Sequence, residues 1–297
     1  MTPRPSHLAI VINPISGAHG SKEETGRLRV ALAKSLAAAA GVTIDVEVAQ
    51  APHHAIELAR AFVARGADVV LAWGGDGTAN EVAGPLIGTK TALGLIPSGS
   101  GDGFALSLRL PRDPRAAFAR AIAGGTSAVD VGYLGARHFL NVAGIGFDAA
   151  VGLAFNRGKK RGLWRYVGHA SNLMWRYEAR HYDVALDDRT LDGRHFMIAF
   201  ANGCEYGNHL VLAPDANPCD GWLDAVVVAP GSPLQQFWKA RRLTFSPKKP
   251  ARGIHRVRVR AARVTSDLLV CHVDGETFET SGTVDVRIEA GALLVRT

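Results

Sequence analysis

The stretch VVLAWGGDGTANEV, residues 69–82, decides how the chain is read. An apolar run, Val69 to Trp73, stops at two glycines. An acid, a third glycine and a threonine follow, and then a helix-like pattern begins. A buried strand feeding a helix through a glycine turn is the local signature of an α/β domain. Glycines let backbone N–H groups approach an anion closely, and the start of the following helix adds its dipole.

Working outward, the first half alternates strand and helix patterns. Residues 8–12 read as a strand and 22–40 as a helix stopped by Gly41. Residues 44–48 read as a strand and 53–65 as a helix stopped by Gly66. After the strand at 69–73 come a helix at 78–87 and a strand at 93–96. Asp113-Pro114 supplies an N-cap and a first-turn proline for a helix to about 123. Such alternation implies parallel strands with crossover helices. In an open parallel sheet, ligands gather at the carboxyl ends of the strands. Three glycine-rich loops fall there: NPISGAHGS (13–21), GGDGT (74–78) and PSGSGDGF (97–104). Together they predict a phosphate cradle. It is neither a GxxxxGK[ST] loop nor a GxGxxG fingerprint after the first strand, and GSGDGF is only a weak echo of the latter.

After Gly124-Gly125 the pattern becomes β-rich, with runs at 128–134, 138–145, 182–187, 195–201, 222–229, 255–260, 268–273 and 284–289. One helical segment is expected at about 160–178. Asp-Gly pairs at 192–193, 220–221 and 274–275 read as turn tips. This half is expected to be an antiparallel β-sandwich. The expected domains are residues 1–128 and 129–297, with the last segment an open candidate to rejoin the first.

The motifs, in this order, resemble the diacylglycerol kinase catalytic family, which includes bacterial lipid kinases and sphingosine and ceramide kinases. The first half carries NPISG, GGDGTANEV and IPSGSGDGFA. The second carries FLNVAGIGFDAAV (139–151), FANGCEYGNHLVLAPDANPCDGWLDAVVV (200–228) and VDGE (273–276). The resemblance covers nearly the whole chain. It implies a nucleotide-binding α/β domain followed by a β-sandwich, with ATP and a lipid alcohol meeting between them and Mg²⁺ assisting.

Residue roles follow from the resemblance. Asp76 becomes the acceptor's base or a group positioning Mg-ATP. Asn13, Gly17, Gly74, Gly75, Gly77, Thr78, Glu81, Ser98, Gly99, Ser100 and Gly101 become nucleotide contacts. From the residues alone, Asp274 and Glu276 flank a hairpin glycine; the family's DGE supplies a catalytic acid there. Asp148 resembles an acid that binds the lipid head group or supports the metal. Asp220 resembles a structural Mg²⁺ ligand, joined by the backbone carbonyls of Asn217 and Trp222, although alone it reads as a turn. Many bacterial members carry Gly-Asn-Asp-Phe-Ala where this chain has Gly-Asp-Gly-Phe-Ala at 101–105. Asp102 therefore stands as the substrate-binding acid, and the acceptor stays open between diacylglycerol and another lipid alcohol.

Net charge is +7, and residues 239–263 carry ten basic residues and no acid. A second basic cluster, Arg157, Lys159, Lys160, Arg161 and Arg165, is interleaved with Trp164 and Tyr166. Such density points to an anionic partner, nucleic acid or a membrane surface. The resemblance selects the membrane, with no nucleic-acid partner. No apolar run reaches the roughly 20 residues of a membrane span, and the N-terminus lacks a signal-peptide pattern. The expectation is a cytoplasmic enzyme docking peripherally on the membrane. Three cysteines without CxxC spacing read as reduced thiols. A homodimer is left open. A NAD kinase-like soluble enzyme lacks its second substrate motif here, and a non-enzymatic nucleic-acid-binding protein would not need the glycine cradle.

Overall fold

The computed structural model describes residues 5–17, 21–156, 172–207, 210–245 and 251–297. The chain divides into two compact units. One holds the residues up to 130 together with 290–297; the other holds 131–289.

The first unit is a parallel sheet with helices. Its strands are β1 (Leu8–Ile12), β2 (Ile44–Val48), β3 (Val69–Gly74) and β4 (Ala92–Pro97). Its helices are α1 (Lys22–Ala40), α2 (His54–Ala64), α3 (Asp76–Ala83), α4 (Gly103–Ser107) and α5 (Pro114–Ala123). Strand order is β4-β3-β1-β2, all parallel. β1, β3 and β4 are buried along their whole length, because helices cover the sheet and leave no solvated face. Leu8, Ile10, Ile12, Leu71 and Trp73 pack against Ala33 and Ala37 of α1 and Phe118 of α5. Local chemistry sets the helix ends. Ser21 accepts from the Glu24 N–H and Asp113 from the Ala116 N–H, and Gly41 closes α1 in the left-handed region at φ 66°. The register matters most: Ile12 faces Trp73, and Trp73 faces Ile96. The three glycine loops therefore leave the sheet at one level.

The second unit is antiparallel. β7 (Val142–Gly146), β10 (Met197–Ala201), β13 (Leu223–Val228) and β14 (Ile254–Val259) run side by side. β15 (Ala261–Val273) pairs with β7, with β8 (Arg180–Leu186) and with β16 (Glu276–Arg296). β10 shows how both of its faces are covered. Ile198 and Phe200 enter one core with Tyr182, Val184 and Leu223. Met197, Ala199 and Ala201 enter another with Phe147 and Val151 of α6 (Phe147–Asn156) and Leu243 of α7 (Pro233–Phe245). The chain end belongs to the first unit: Val295 pairs with Leu93. Arg296, buried, donates to the carbonyls of Ala121 and Ile122 at the end of α5, where a cation meets the negative pole of the helix.

The architecture is the α/β domain followed by an antiparallel sandwich that the patterns predict, with local differences. The run at 138–145 is two strands, β6 (Arg137–Phe139) and β7. β15 and β16 are much longer than the apolar runs that announce them, because the two strands pair along nearly the whole of β15 while exposed polar residues alternate with the buried ones. Asp192-Gly193 is not a turn. It lies within β9 (Arg189–His195), and the hairpin turns at Asp187-Asp188 instead. Inward alternation of Tyr182, Val184 and Leu186 fixes that register, which overrides the turn preference of Asp-Gly. α6 and α7 were not legible as helices. The helix expected at 160–178 falls largely on residues outside those described.

Candidate functional site

In the first unit, bare backbone brings the loops together. Gly17 lies in the left-handed region at φ 58°, and a methyl group there would sit 2.2 Å from the Ser98 carbonyl oxygen. A methyl at Gly99 would be 2.7 Å from the Gly75 Cα, and one at Gly75 would be 3.1 Å from the Gly99 Cα. No residue with a Cβ fits such approaches without displacement. Gly74 is closed by Thr78, 2.3 Å from a notional Cβ, whereas Gly77 at the first turn of α3 has nothing within 4 Å. The Ser98 amide donates to the Gly74 carbonyl at 2.8 Å, and the Ser98 and Ser16 hydroxyls are 3.5 Å apart. Ser100 and Gly101 complete the β4–α4 loop.

Side chains then lock this arrangement. Asn13 donates to the Thr78 hydroxyl at 2.8 Å and accepts the Ile15 amide at 3.1 Å. Thr78 is buried, so it ties the first loop to α3. Arg29 of α1 donates to the carbonyls of Asn13 and Ser16 at 2.6 and 2.5 Å and lies 5.5 Å from the centre of the Trp73 ring. Nothing in the sequence singled out Arg29. Its signal, a cation one helix turn beyond Gly26 on the face toward the first loop, is visible only once the loop's course is known. Glu81 pairs with His53 at 3.1 Å, linking α3 to the start of α2.

Two acids of this unit, Asp76 and Asp102, serve the loops. The Asp76 oxygens accept the amides of Gly103 and Phe104 at 3.1 and 3.2 Å, capping α4. Asp102 is only 2% exposed. One of its oxygens accepts the Gly99 amide at 2.9 Å, and the other meets Arg112 at 3.0 Å. Asp102 therefore shapes the third loop, with one oxygen on the Gly99 amide and the other on Arg112. A narrow cavity bordered by Gly75, Asp76, Pro97, Asp102 and Phe104 opens among these groups.

In the second unit, Asp274 and Gly275 form the two-residue turn between β15 and β16, both with positive φ (46° and 88°), as a tight hairpin requires. Asp274 does more than turn the chain. Its carboxylate accepts the amides of Leu140, Asn141 and Val142 at 2.7, 3.0 and 3.0 Å, fastening the entry to β7. Glu276 is different: it is 53% exposed, and its ion pair to Arg137 is long at 3.7 Å.

Asp148, expected as an acid for the head group or the metal, lies at the start of α6. It is 7% exposed, with one oxygen on the Ala149 amide and the other 3.1 Å from Nε2 of His272. His272 and its neighbour Tyr206 were missed, because neither lies in a motif whose chemistry names it. Cys271 is buried beside them. Desolvation, with the Asp148 charge adding to it, pushes its thiol up to about 12. It is therefore no nucleophile near neutrality. None of the three cysteines is in a disulfide.

The metal expectation at Asp220 does not fit. One Asp220 oxygen accepts the Trp222 amide at 3.1 Å, and the Arg258 guanidinium donates to the other. Arg258 and Arg260 also lie over the Trp222 ring, 5.3 and 4.4 Å from its centre. The Asn217 side chain accepts the Cys219 amide at 3.2 Å, an ordinary Asx turn. A cation already faces this carboxylate, and a divalent ion there would be repelled by Arg258.

The basic run at 239–263 also divides. Lys239 donates to the Ala229 and Pro230 carbonyls, Arg256 to the Leu212 carbonyl, Arg258 to Asp220 and Arg263 to Asp285. These cations hold the fold. On α7, however, Leu234, Phe237 and Trp238 are exposed, and Arg241 and Arg242 follow on the same helix. The cluster at residues 157–165, with Tyr166, lies outside the described residues, as do Lys248 and Lys249. No described helix is long and apolar enough to cross a membrane.

The model of the diacylglycerol kinase catalytic domain matches residues 7–134, and that of the YegS C-terminal NAD kinase beta sandwich-like domain matches residues 141–297. A protein of Chromohalobacter salexigens named "Probable lipid kinase YegS-like" is 34% identical over 225 residues, covering 73% of this chain and 68% of its own. A diacylglycerol kinase of Mycobacterium tuberculosis is 32% identical over 220 residues, covering 71% and 70%. Among solved structures, a diacylglycerol kinase from Bacillus anthracis superposes with a TM-score of 0.76 over 99% of this chain and 98% of its own. At 18% identity that is a likeness of fold.

Proposed function

The chain belongs to the lipid kinase family that joins a diacylglycerol kinase catalytic domain to a YegS-type C-terminal domain, and on that premise we propose that it transfers the γ-phosphoryl group of ATP to the hydroxyl of a diacylglycerol- or sphingoid-like lipid at a membrane surface. The observation that carries this reading is the convergence of three glycine loops at one edge of a parallel sheet, with Gly17 against Ser98 and Gly75 against Gly99. Backbone approach this close is what a polyphosphate cradle needs.

In this reading the loops at 13–17, 74–78 and 98–101 bind the nucleotide. The open space at Gly77 lets phosphate reach the first turn of α3. Phosphoryl transfer depends chiefly on positioning and on neutralising charge. Asn13, Arg29, Asp76 and Asp102 supply the positioning by holding the loops. Mg²⁺ bound to ATP neutralises phosphate charge. Glu276, exposed and only loosely paired, takes the proton of the acceptor hydroxyl. Asp274 orients the turn that carries it.

The enzyme meets its acceptor from the water side, peripherally. The exposed Leu234, Phe237 and Trp238 of α7 with Arg241 and Arg242 support this, since aromatic rings and cations suit the headgroup layer. The test is transfer from γ-labelled ATP to lipids in anionic and in neutral vesicles, with NAD as a soluble control and chromatography of the product. Labelled lipid phosphate, formed faster on anionic vesicles and less so at high salt, is expected. Labelled NAD phosphate, or no lipid product, overturns the reading.

A further inference from the structure

Three polar groups of the second unit meet: the buried Asp148 on α6 and His272 on β15, and the half-buried Tyr206 on β11 (Glu205–Gly207). The His272 Nε2 is 3.1 Å from Asp148 Oδ2 and 2.6 Å from the Tyr206 hydroxyl. That hydroxyl lies 3.5 Å from the same carboxylate oxygen. His272 is 3% and Asp148 7% exposed. The fold makes room for the trio. A methyl at Gly144 of β7 would sit 2.0 Å from Asp148 Oδ2 and 2.4 Å from the His272 Nε2. Burying a carboxylate is costly unless donors surround it, so the histidine is where the chain meets that cost.

The other ring nitrogen faces the hairpin turn. Nδ1 of His272 accepts the Gly275 amide at 3.4 Å. That contact assigns the tautomer: with Nδ1 accepting, the proton sits on Nε2, where the Tyr206 oxygen and Asp148 can take it. Asp148 and Tyr206 thus set the plane of the ring, and the ring holds the peptide between Asp274 and Glu276.

From this we infer that His272 is a positioning residue for Glu276: it carries the fixed geometry of the Asp148–Tyr206 pair to the Gly275 amide, and so sets the direction in which Glu276 leaves the turn. This deepens the proposed function and rests on Glu276 acting at the acceptor. Asp274 fixes the turn from one side, through the amides at 140–142. His272 fixes it from the other.

Two variants separate the two ring nitrogens. In His272→Asn the amide oxygen stands near Nδ1 and keeps an acceptor for Gly275, but nothing reaches Asp148. In His272→Gln the amide group stands near Nε2 and keeps Asp148 and Tyr206 partnered, but the Gly275 amide loses the Nδ1 acceptor. Expected for His272→Gln are a melting temperature near that of the parent, at least a tenfold lower kcat, an unchanged KM for ATP and faster hydrogen exchange at the Gly275 amide. His272→Asn should melt lower yet keep more of its kcat and the Gly275 protection. A purely structural histidine gives the reverse order, with activity following melting temperature, and that result overturns the inference. Equal Gly275 exchange in all three proteins also overturns it. The exchange measurement needs no substrate. If wild type phosphorylates no lipid, the functional reading fails by itself, and exchange still decides whether His272 holds the Gly275 amide.

Discussion

Asp76 in the first unit and Asp274 in the second both precede a glycine in a tight loop, and both give their oxygens to backbone amides of a distant segment. Asp76 takes two, at the start of α4; Asp274 takes three, at the entry to β7. Around Asp76, however, the loops approach through glycines, and in the proposed function the backbone itself is the binding surface. Around Asp274, the turn carries a second acid, Glu276, that remains exposed with one long ion pair. An acid in a glycine loop is thus not evidence of proton transfer by itself. A carboxylate already accepting two or three amides is held as an acceptor, which is why the proposed base is the loosely partnered Glu276.

Glu276→Gln tests that distinction most severely. Loss of a general base typically costs about 10²–10⁴ in rate. Turnover should fall by that factor with ATP affinity and melting temperature unchanged. Turnover within twofold of the parent would return the base to Asp76 or Asp274.

The backbone nature of the first site predicts opposite results at two glycines. Gly17→Ala puts a methyl into the Ser98 carbonyl at a left-handed φ, so it should weaken ATP binding at least tenfold and lower stability. Gly77→Ala meets no protein atom. It should raise stability by about 0.5–1 kcal/mol, as alanine does for glycine in a helix, while still weakening ATP binding. Isothermal titration with denaturant unfolding separates the two. If Gly77→Ala binds ATP normally, phosphate does not approach α3 there.

Stability should rank the two acids by the amides they hold. A donor left unsatisfied costs about 1–3 kcal/mol where it is buried. Asp274→Ala should lower unfolding free energy by about 2–4 kcal/mol and Asp76→Ala by about two-thirds of that. Equal losses would show that the count of amides does not set the difference.

The smallest effect is expected at the outer end of β1. The Ser6 hydroxyl, with the His7 and Ser6 amides, holds the Asp68 carboxyl below its usual range. Its folded pKa is depressed, so its contribution is present above the ordinary carboxylate range and is lost as pH falls through the folded value. Asp68→Asn should flatten the acid side of the melting-temperature profile below about pH 4 and change little near neutrality. An unaltered acid limb would remove Asp68 from the account.

The sequence by itself determined the class of fold and the three loops. Parallel strands covered on both faces need continuous apolar runs, and glycine-rich turns must follow them where backbone meets ligand; both signals are local. The strand at 8–12, the helix at 22–40 with Gly41 as its stop and the proline start of α5 were legible for the same reason. Only the tertiary structure decided which side chains answer one another. Asp102 meets Arg112 ten residues on, Asp220 meets Arg258 across β13 and β14, Arg29 meets the loop carbonyls, and His272 joins Asp148 to Gly275. The Asp-Gly at 192–193 likewise went into a strand because its neighbours' burial set the register. Pairings across 10 to 124 residues depend on sheet register and helix placement. Those are fixed by the sum of burial over a whole unit and leave no trace in local spacing.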